Sequence, residues 1–285
     1  MMLHLNFDMK GQIMKKGIDI SYCQQNVDFE KVRNSGIDFV IIRTGYLGKT
    51  DSRFHEHMKG ALKAGLDVGA YCYQTAKTVD EARKEAEETV SAIGEYPLTY
   101  PVFLDIEDLR LLCLTNELRT EIAVAFLETV RKHNFYPAIY ANPAWLKNYL
   151  CMDKLKRYDI WLASWTDDPL RETRHKLGQT VWQWGLDEVN GVENKVDGDV
   201  CYVDYPKKIK AKCLCGKERV VLTKSAFIHT QPHGKSPSLA RCRNGEVLTA
   251  LRGRDMNSGG TVWRKVMKGD SFGWIRADLS NKISF

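Results

Sequence analysis

Over residues 14–206, apolar runs of strand length alternate with stretches whose apolar positions recur every three or four residues. GIDIS (17–21) reads as a short strand, and Asp28 caps a short helix bearing Phe29 and Val32 that Gly36 stops. DFVIIRTGY (38–46) is a buried strand. Asp51 or Ser52 can cap the next helix, whose apolar face is Phe54, Met58, Ala61 and Leu62 and which ends at Gly65. After the strand VGAYCYQ (68–74), Thr78 and Glu81 form a capping box for a helix turning Ala82, Ala86, Val90 and Ile93 inward. YPVFLDIE (100–107) is the next strand, and Leu118, Ile122, Ala125, Phe126 and Val130 mark a long helix. YPAIYA, YDIWLASW and QTVWQW are further strands, a short helix opens at Pro143 with Trp145 and Leu146, and VDGDVCYVDYP (196–206) reads as an acidic turn closing this body. About eight strands interleaved with helices predict an α/β fold, a parallel barrel of βα type in which some helices are missing because the later connections are short.

Polar residues interrupt this apolar pattern at one recurring place. Asp19, Arg43, Tyr73, Asp105, Glu107, Tyr140, Gln183 and Asp197 all fall at or near the C-terminal ends of strands, the rim on which such barrels build active sites. Asp105 and Glu107 are one residue apart, so strand alternation puts both carboxylates on one face, their Cα atoms about 6.5–7 Å apart, with Ile106 facing away. Carboxylates that close raise each other's pKa, and one can hold a proton beside an ionised partner, the equipment of glycosidic-bond cleavage. Each residue also has a plainer role open to it: Tyr71, Tyr73, Tyr140 and Trp161 as core aromatics, Arg43 as an ion-pair partner, Asp197 as a turn former beside Gly198. Recurrence at strand after strand favours a shared site.

Of 285 residues, 44% are hydrophobic and 27% charged, enough for one large domain and a small one. No apolar run reaches the roughly 18–20 residues of a membrane helix, so no membrane partner is expected. Residues 1–13 read as a leader without the apolar core of a signal peptide, with Met14 an alternative start. Eight scattered cysteines, several inside apolar runs, fit a reducing compartment; the Cys213/Cys215 pair lacks further ligands at metal spacing, so no metal or cofactor is expected. The net charge of +6 is unevenly spread. From Lys207 onward 17 lysines and arginines face five acids, leaving −6 for the rest, an acidic body with a basic tail that seeks an anionic partner.

The motifs GIDIS, VIIRTGY, GAYCYQTA, VFLDIED, AIYAN, IWLASW, VWQW and VDGDVCYVDYP, in that order over residues 15–206, resemble the glycoside hydrolase family 25 lysozymes, the muramidases common among phage endolysins. The resemblance implies a TIM-like (βα)5β3 barrel cleaving the β-1,4 bond between N-acetylmuramic acid and N-acetylglucosamine in peptidoglycan. It implies Glu107 as general acid and Asp105 as the carboxylate that stabilises developing charge or orients the substrate's N-acetyl group. Asp19 and Asp197 resemble the two remaining acids, with Asp199 an alternative to Asp197. Arg43, Tyr71, Tyr73, Tyr140, Trp161, Gln183 and Trp184 are the expected substrate-binding residues. Cys72 stands where the family commonly has histidine.

The tail is short-stranded and turn-rich, and its TVWRKV…GWI ending is similar to bacterial Src-homology-3-like wall-binding repeats. The resulting layout is a leader (1–13), a catalytic barrel (14–206), a linker (207–216) and a small all-β barrel (217–285). The resemblance implies an endolysin made in a host cytoplasm that acts at the cell wall after release, its tail holding an anionic Gram-positive wall polymer rather than nucleic acid. A chitinase-like glycosidase fits less well, because Phe103 and Leu104 stand where its strand carries further aspartates. A wall-binding protein with a dead barrel is disfavoured because all four acids are present.

Overall fold

The computed structural model describes residues 14–94, 96–165, 177–209, 217–251, 255–268 and 271–282. They form two units, Met1–Ile209 and Lys210–Phe285. The expected leader 1–13 and the Cys213/Cys215 pair lie outside the described residues.

In the first unit, β1 (Lys15–Ile20) leads to α1 (Phe29–Asn34), β2 (Phe39–Tyr46), the two-residue β3 (Lys49–Thr50) and α2 (Phe54–Lys63). Next come β4 (Asp67–Tyr73), α3 (Val79–Ile93), β5 (Val102–Asp105), a 3-10 turn (Leu109–Cys113) and α4 (Asn116–Lys132). The unit closes with β6 (Pro137–Ala141), a π-helical turn (Trp145–Tyr149), the one-turn α5 (Met152–Leu155), β7 (Asp159–Ala163), β8 (Gln179–Asp187) and β9 (Val196–Cys201). The sheet order β1-β9-β8-β7-β6-β5-β4-β2, with β1 also pairing β2, closes eight strands into a ring; β3 extends β2 as a hairpin.

Apart from the β2–β3 hairpin, ring neighbours from β1 through β8 run parallel, but β9 is antiparallel to both β8 and β1. The segment expected to be an acidic turn is therefore the strand that seals the ring. Its turn-like composition has a packing cause: Asp197, Asp199 and Cys201 alternate to the inside, and Gly198 is bare because a Cβ there would meet the Trp184 ring at 2.7 Å. Because β9 runs backwards, its first residues lie at the same end as the last residues of the parallel strands.

Strand alternation sorts the core into two layers. Ile18, Val40, Val68, Leu104, Ile139 and Leu162 face outward to the helices, and Phe39, Ile41, Tyr71, Phe103, Trp161 and Val181 fill the barrel. The helices are pinned locally as their sequences demand. Asp28 accepts from Lys31 N at the start of α1, and Thr78 and Glu81 make the reciprocal capping box of α3. Asp51 does not cap α2 through its side chain in the expected way; its carboxylate serves the site described below.

Arg119, on α4, is 3% exposed and donates to the carbonyls of Tyr149, Leu111 and Leu114 and to Asn116 Oδ1, with its guanidinium over the rings of Tyr149 and Trp145. It ties the 3-10 turn, α4 and the π-helical turn together. Arg119→Ala removes the side-chain donor to three carbonyls and to Asn116, of which, among the described residues, only the Leu111 oxygen keeps a second donor in Leu114 N, and urea denaturation is expected to show a loss of about 3 kcal/mol; a loss under about 1 kcal/mol contradicts this role.

Tyr205 and Ile209 pack into the barrel's closed end, and Lys208 Nζ bonds Asp159 at 2.8 Å, so the start of the expected linker belongs to this unit. The remainder, 210–216, lies outside the described residues. The second unit is an antiparallel sheet: β10 (Lys217–Leu222), β11 (Ala226–His229), β12 (Ser238–Cys242), β13 (Val247–Leu251), β14 (Met256–Ser258), β15 (Thr261–Lys268), β16 (Ser271–Arg276) and β17 (Ser280–Lys282). Its core holds Val220, Leu222, Ile228, Leu248, Val266 and Ile275. No helix among the described residues is long and apolar enough to cross a membrane.

Candidate active site

The expected polar residues converge at one end of the barrel, above a floor of aromatic rings. Trp161 is 1% exposed and meets Tyr140, Phe103 and Tyr71 edge-on at centroid distances of 4.5, 4.9 and 5.9 Å. It supports the site from beneath instead of lining an open subsite, and its indole Nε1 donates to Asp199 Oδ1 at 2.8 Å.

Three acids come from the β1/β9 seam. Asp19 stands directly opposite Asp197, and Asp199 lies two residues further along the same face of β9. Both candidates for the fourth acid therefore point inward, with Asp199 buried and Asp197 half-buried. Gln183 organises the neighbouring strand end: Nε2 donates to Asp19 Oδ2 at 2.8 Å, and Oε1 accepts from Tyr140 OH at 3.1 Å and Trp165 Nε1 at 3.0 Å. Those contacts fix which end of the Gln183 amide is oxygen.

The remaining acids come from β5. The strand ends at Asp105, yet Ile106 N still donates to Tyr140 O at 3.1 Å and Ile106 is fully buried against the helices. Alternation thus carries past the strand, and Glu107 returns to the side of Asp105. Asp105 is buried and its Oδ1 has no hydrogen-bond partner, whereas Glu107 is half-buried at the rim.

Arg43 is the cation set among these acids. Its Nε donates to Asp51 Oδ2 at 2.8 Å, and the guanidinium lies 4.9 Å from the centre of the Tyr22 ring. Asp51 also accepts from the backbone N–H groups of Tyr22 and Arg53, so one buried carboxylate holds Arg43 and the loop after β1 together. Tyr73 sits beside Asp105 in the sheet and carries Tyr46 edge-on at 5.2 Å.

Concentrated negative charge in a partly dry space moves every acid the same way. Burial, with Asp197 next, raises Asp19 well above the ordinary carboxylate range; burial and then Asp19 raise Asp199. Burial and then Glu107 raise Asp105, with Arg43 opposing, and burial followed by Asp197 raises Glu107. Burial pushes Asp197 up to about 6. Protons are therefore shared within the cluster near neutral pH, and the Arg43 charge opposes the rise at Asp105 without reversing it. The arrangement can hand a proton to a leaving group from one carboxyl while an anionic neighbour faces the positive charge that develops.

Trp184 is placed elsewhere. Its ring packs on Gly198 on the face of β9 away from Asp197 and Asp199, because alternation along β8, with Val181 and Gln183 facing inward, leaves Trp184 on the outer side. Cys72 also points outward into the helix layer, where burial pushes its thiol up to about 12, so the residue that departs from the family's histidine does not face the acids. Asp51, Tyr22, Tyr46 and Trp165 were not singled out as site residues by sequence reasoning. Trp165 carried a signal, the second tryptophan of IWLASW at a strand end; it is 61% exposed although its N–H is fixed by Gln183. Among the described residues no group of three or more His, Cys, Asp or Glu is placed to hold a metal ion.

A barrel with a carboxylate cluster at this rim is the architecture of a sugar-cleaving hydrolase. The family model of glycosyl hydrolases family 25 matches residues 18–191, and the chain belongs to that family. The match takes in Asp19, Arg43, Asp105, Glu107 and Gln183 and stops short of β9. The chain is 38% identical over 93 residues to the autolytic lysozyme of Clostridium acetobutylicum, covering 32% of this chain and 28% of that protein. Among solved structures it is similar to the CTP1L endolysin, whose activity is described as regulated by a secondary translation product, with a TM-score of 0.59, 26% identity, and coverage of 69% of this chain and 70% of that one. The modular autolysin LytC of Streptococcus pneumoniae, solved with a synthetic peptidoglycan ligand, gives a TM-score of 0.59 at 24% identity over 69% of this chain and 49% of that chain. The chain thus spans under a third of the curated relative and about half of LytC.

Proposed function

We propose that this chain is a muramidase of endolysin type, cleaving the β-1,4 bond between N-acetylmuramic acid and N-acetylglucosamine. We read the barrel as five βα units followed by three strands, which places all of its acids at one mouth. Glu107 acts as general acid, donating its proton to the glycosidic oxygen. Asp105, with the Arg43 charge favouring its anion against the burial that opposes it, stabilises the positive charge on the sugar or orients the substrate's N-acetyl group. Asp19, Asp197 and Asp199 surround them, and burial with the Asp197 charge keeps the Glu107 pKa raised. Tyr73, Tyr140 and Gln183 line the sugar subsite, while Tyr71 and Trp161 support it from below.

The observation that carries this reading is the division of burial within the β5 pair: Glu107 reaches the rim where a leaving group arrives, and Asp105 lies buried behind it beside Arg43. The autolytic lysozyme relative and the peptidoglycan ligand of LytC support the same substrate class. We assign the basic second unit, as a Src-homology-3-like module, to an anionic Gram-positive wall polymer. The chain then acts at the cell wall after release from the cytoplasm in which it is made. Digestion of purified Gram-positive walls, with mass spectrometry of the reduced products, tests the reaction. New reducing ends on N-acetylmuramic acid are expected; reducing ends on N-acetylglucosamine, or release of chito-oligosaccharides from chitin at a comparable rate, defeat it.

A further inference from the structure

The face of the second unit's sheet that turns away from its core carries a pocket of about 390 Å³, within the size range of small-ligand sites. Alternation along β11 sends Ala226 and Ile228 into the core and Phe227 and His229 to this face. Trp263 of β15 and Arg276 of β16 stand directly opposite each other across their strand pair and line the same pocket.

Each of these groups has a definite offer to make. The Trp263 indole is 4% exposed and forms the floor, with the His229 ring set edge-on against it at 5.4 Å. Phe227, by contrast, is 51% exposed, an aromatic face left in contact with water at the pocket wall. His229 Nδ1 lies 3.1 Å from the Ser236 carbonyl oxygen, which can only accept, so Nδ1 carries the proton and Nε2 of the neutral ring is an acceptor suited to a hydroxyl. Arg276 donates through Nε and Nη2 to the two oxygens of Asp278, at 3.0 and 2.7 Å. That clamp fixes the guanidinium plane at the rim and leaves its other edge, Nη1, for a second anion.

We infer that this pocket binds one repeating unit of a polyol- or glycosyl-phosphate polymer, with C–H faces on Phe227 and Trp263, a hydroxyl donating to His229, and the phosphate at Arg276. The inference rests on the reading of the second unit as wall-binding. Charge complementarity favours the phosphate: from Glu218 to the end, 12 lysines and arginines face five acids. A single half-open pocket, in place of a row of stacking platforms along a basic track, fits one sugar-sized unit better than a nucleic acid strand.

The test uses the full chain carrying Glu107→Gln, so that walls survive the assay, in cosedimentation with purified Gram-positive walls. One portion of the walls is first stripped of phosphodiester-linked polymer by hydrofluoric acid. Binding to untreated walls is expected to fall by about tenfold or more on stripping, on adding soluble poly(glycerol phosphate), and with either Phe227→Ala or Arg276→Gln. Equal binding to stripped walls assigns the unit to peptidoglycan itself and overturns the proposal, as do variants that bind like the parent or a single-stranded oligonucleotide that competes better than the polyol phosphate. With Glu107 restored, both variants are expected to hydrolyse soluble, stripped glycan strands at the parent rate. Failure of that hydrolysis in the parent chain itself sinks the muramidase reading without touching the pocket.

Discussion

Glu107→Gln is expected to slow the clearing of Gram-positive walls by about 10²- to 10⁴-fold, the contribution of a well-placed general acid, while leaving the fold and wall binding intact. Glutamine keeps the shape and hydrogen-bonding size of the side chain but has no proton to give. The pH profile adds a signature that a structural role does not produce. Because burial and the Asp197 charge raise the Glu107 pKa, the parent enzyme loses activity on the alkaline side as Glu107 deprotonates. Removing that charge with Asp197→Asn lowers the Glu107 pKa, so the alkaline limb moves to lower pH. Turbidity assays across pH on both variants check this. An unshifted limb in Asp197→Asn, or a Glu107→Gln protein as active as the parent, refutes the assignment.

The second large effect is on stability, and its direction is a gain. Asp197 titrates near 6 in the folded chain against an ordinary value of 3.8, because burial disfavours its charge. Below the unfolded value it is protonated in both states and contributes nothing. Between about 4 and 6 the folded state holds a proton that the unfolded state has released, so stability falls as pH rises, and above the folded value the penalty is complete. A shift of about two units corresponds to about 3 kcal/mol. Asp197→Asn is therefore expected to be more stable than the parent by up to about 3 kcal/mol at pH 7, equal to it near pH 3, and poorly active. Denaturant titrations at the two pH values decide; an equal or lower stability at pH 7 removes the electrostatic account. Asp19 and Asp199, more deeply buried and shifted the same way, show that the site as a whole is held together at a cost in stability.

Much of this was readable from local pattern. Thr78 with Glu81, Asp28 before Phe29, and the alternation Asp105–Ile106–Glu107 each depend on neighbours in sequence, and each has the expected form. Asp51 looked like a cap because helix starts favour aspartate; that its carboxylate braces Arg43 depends on a contact eight residues back and on the Tyr22 loop, which no local rule supplies. Residues 196–201 looked like a turn because Asp and Gly dominate them. They form a strand because the acids face a polar mouth and the glycine makes room for Trp184, both tertiary facts. Trp184 faces outward as a strict two-residue count from Val181 and Gln183 requires, so its expected place in the subsite fails on local alternation alone. Cys72 raised a doubt that disappears once its side chain is seen to face the helices.

The antiparallel β9 also bears on how the chain comes to be active. The first strand pairs early with β2 but finds its second partner only in the last, with Lys15 opposite Cys201, so ring closure waits for nearly the whole unit to be synthesised. Until then β1 and β8 each have an unpaired edge, the aggregation hazard of a nascent sheet. Asp197 and Asp199 arrive on that same closing strand, so on the reading given above an emerging chain has neither a sealed barrel nor a full set of acids, and the enzyme is assembled in the step that completes its fold.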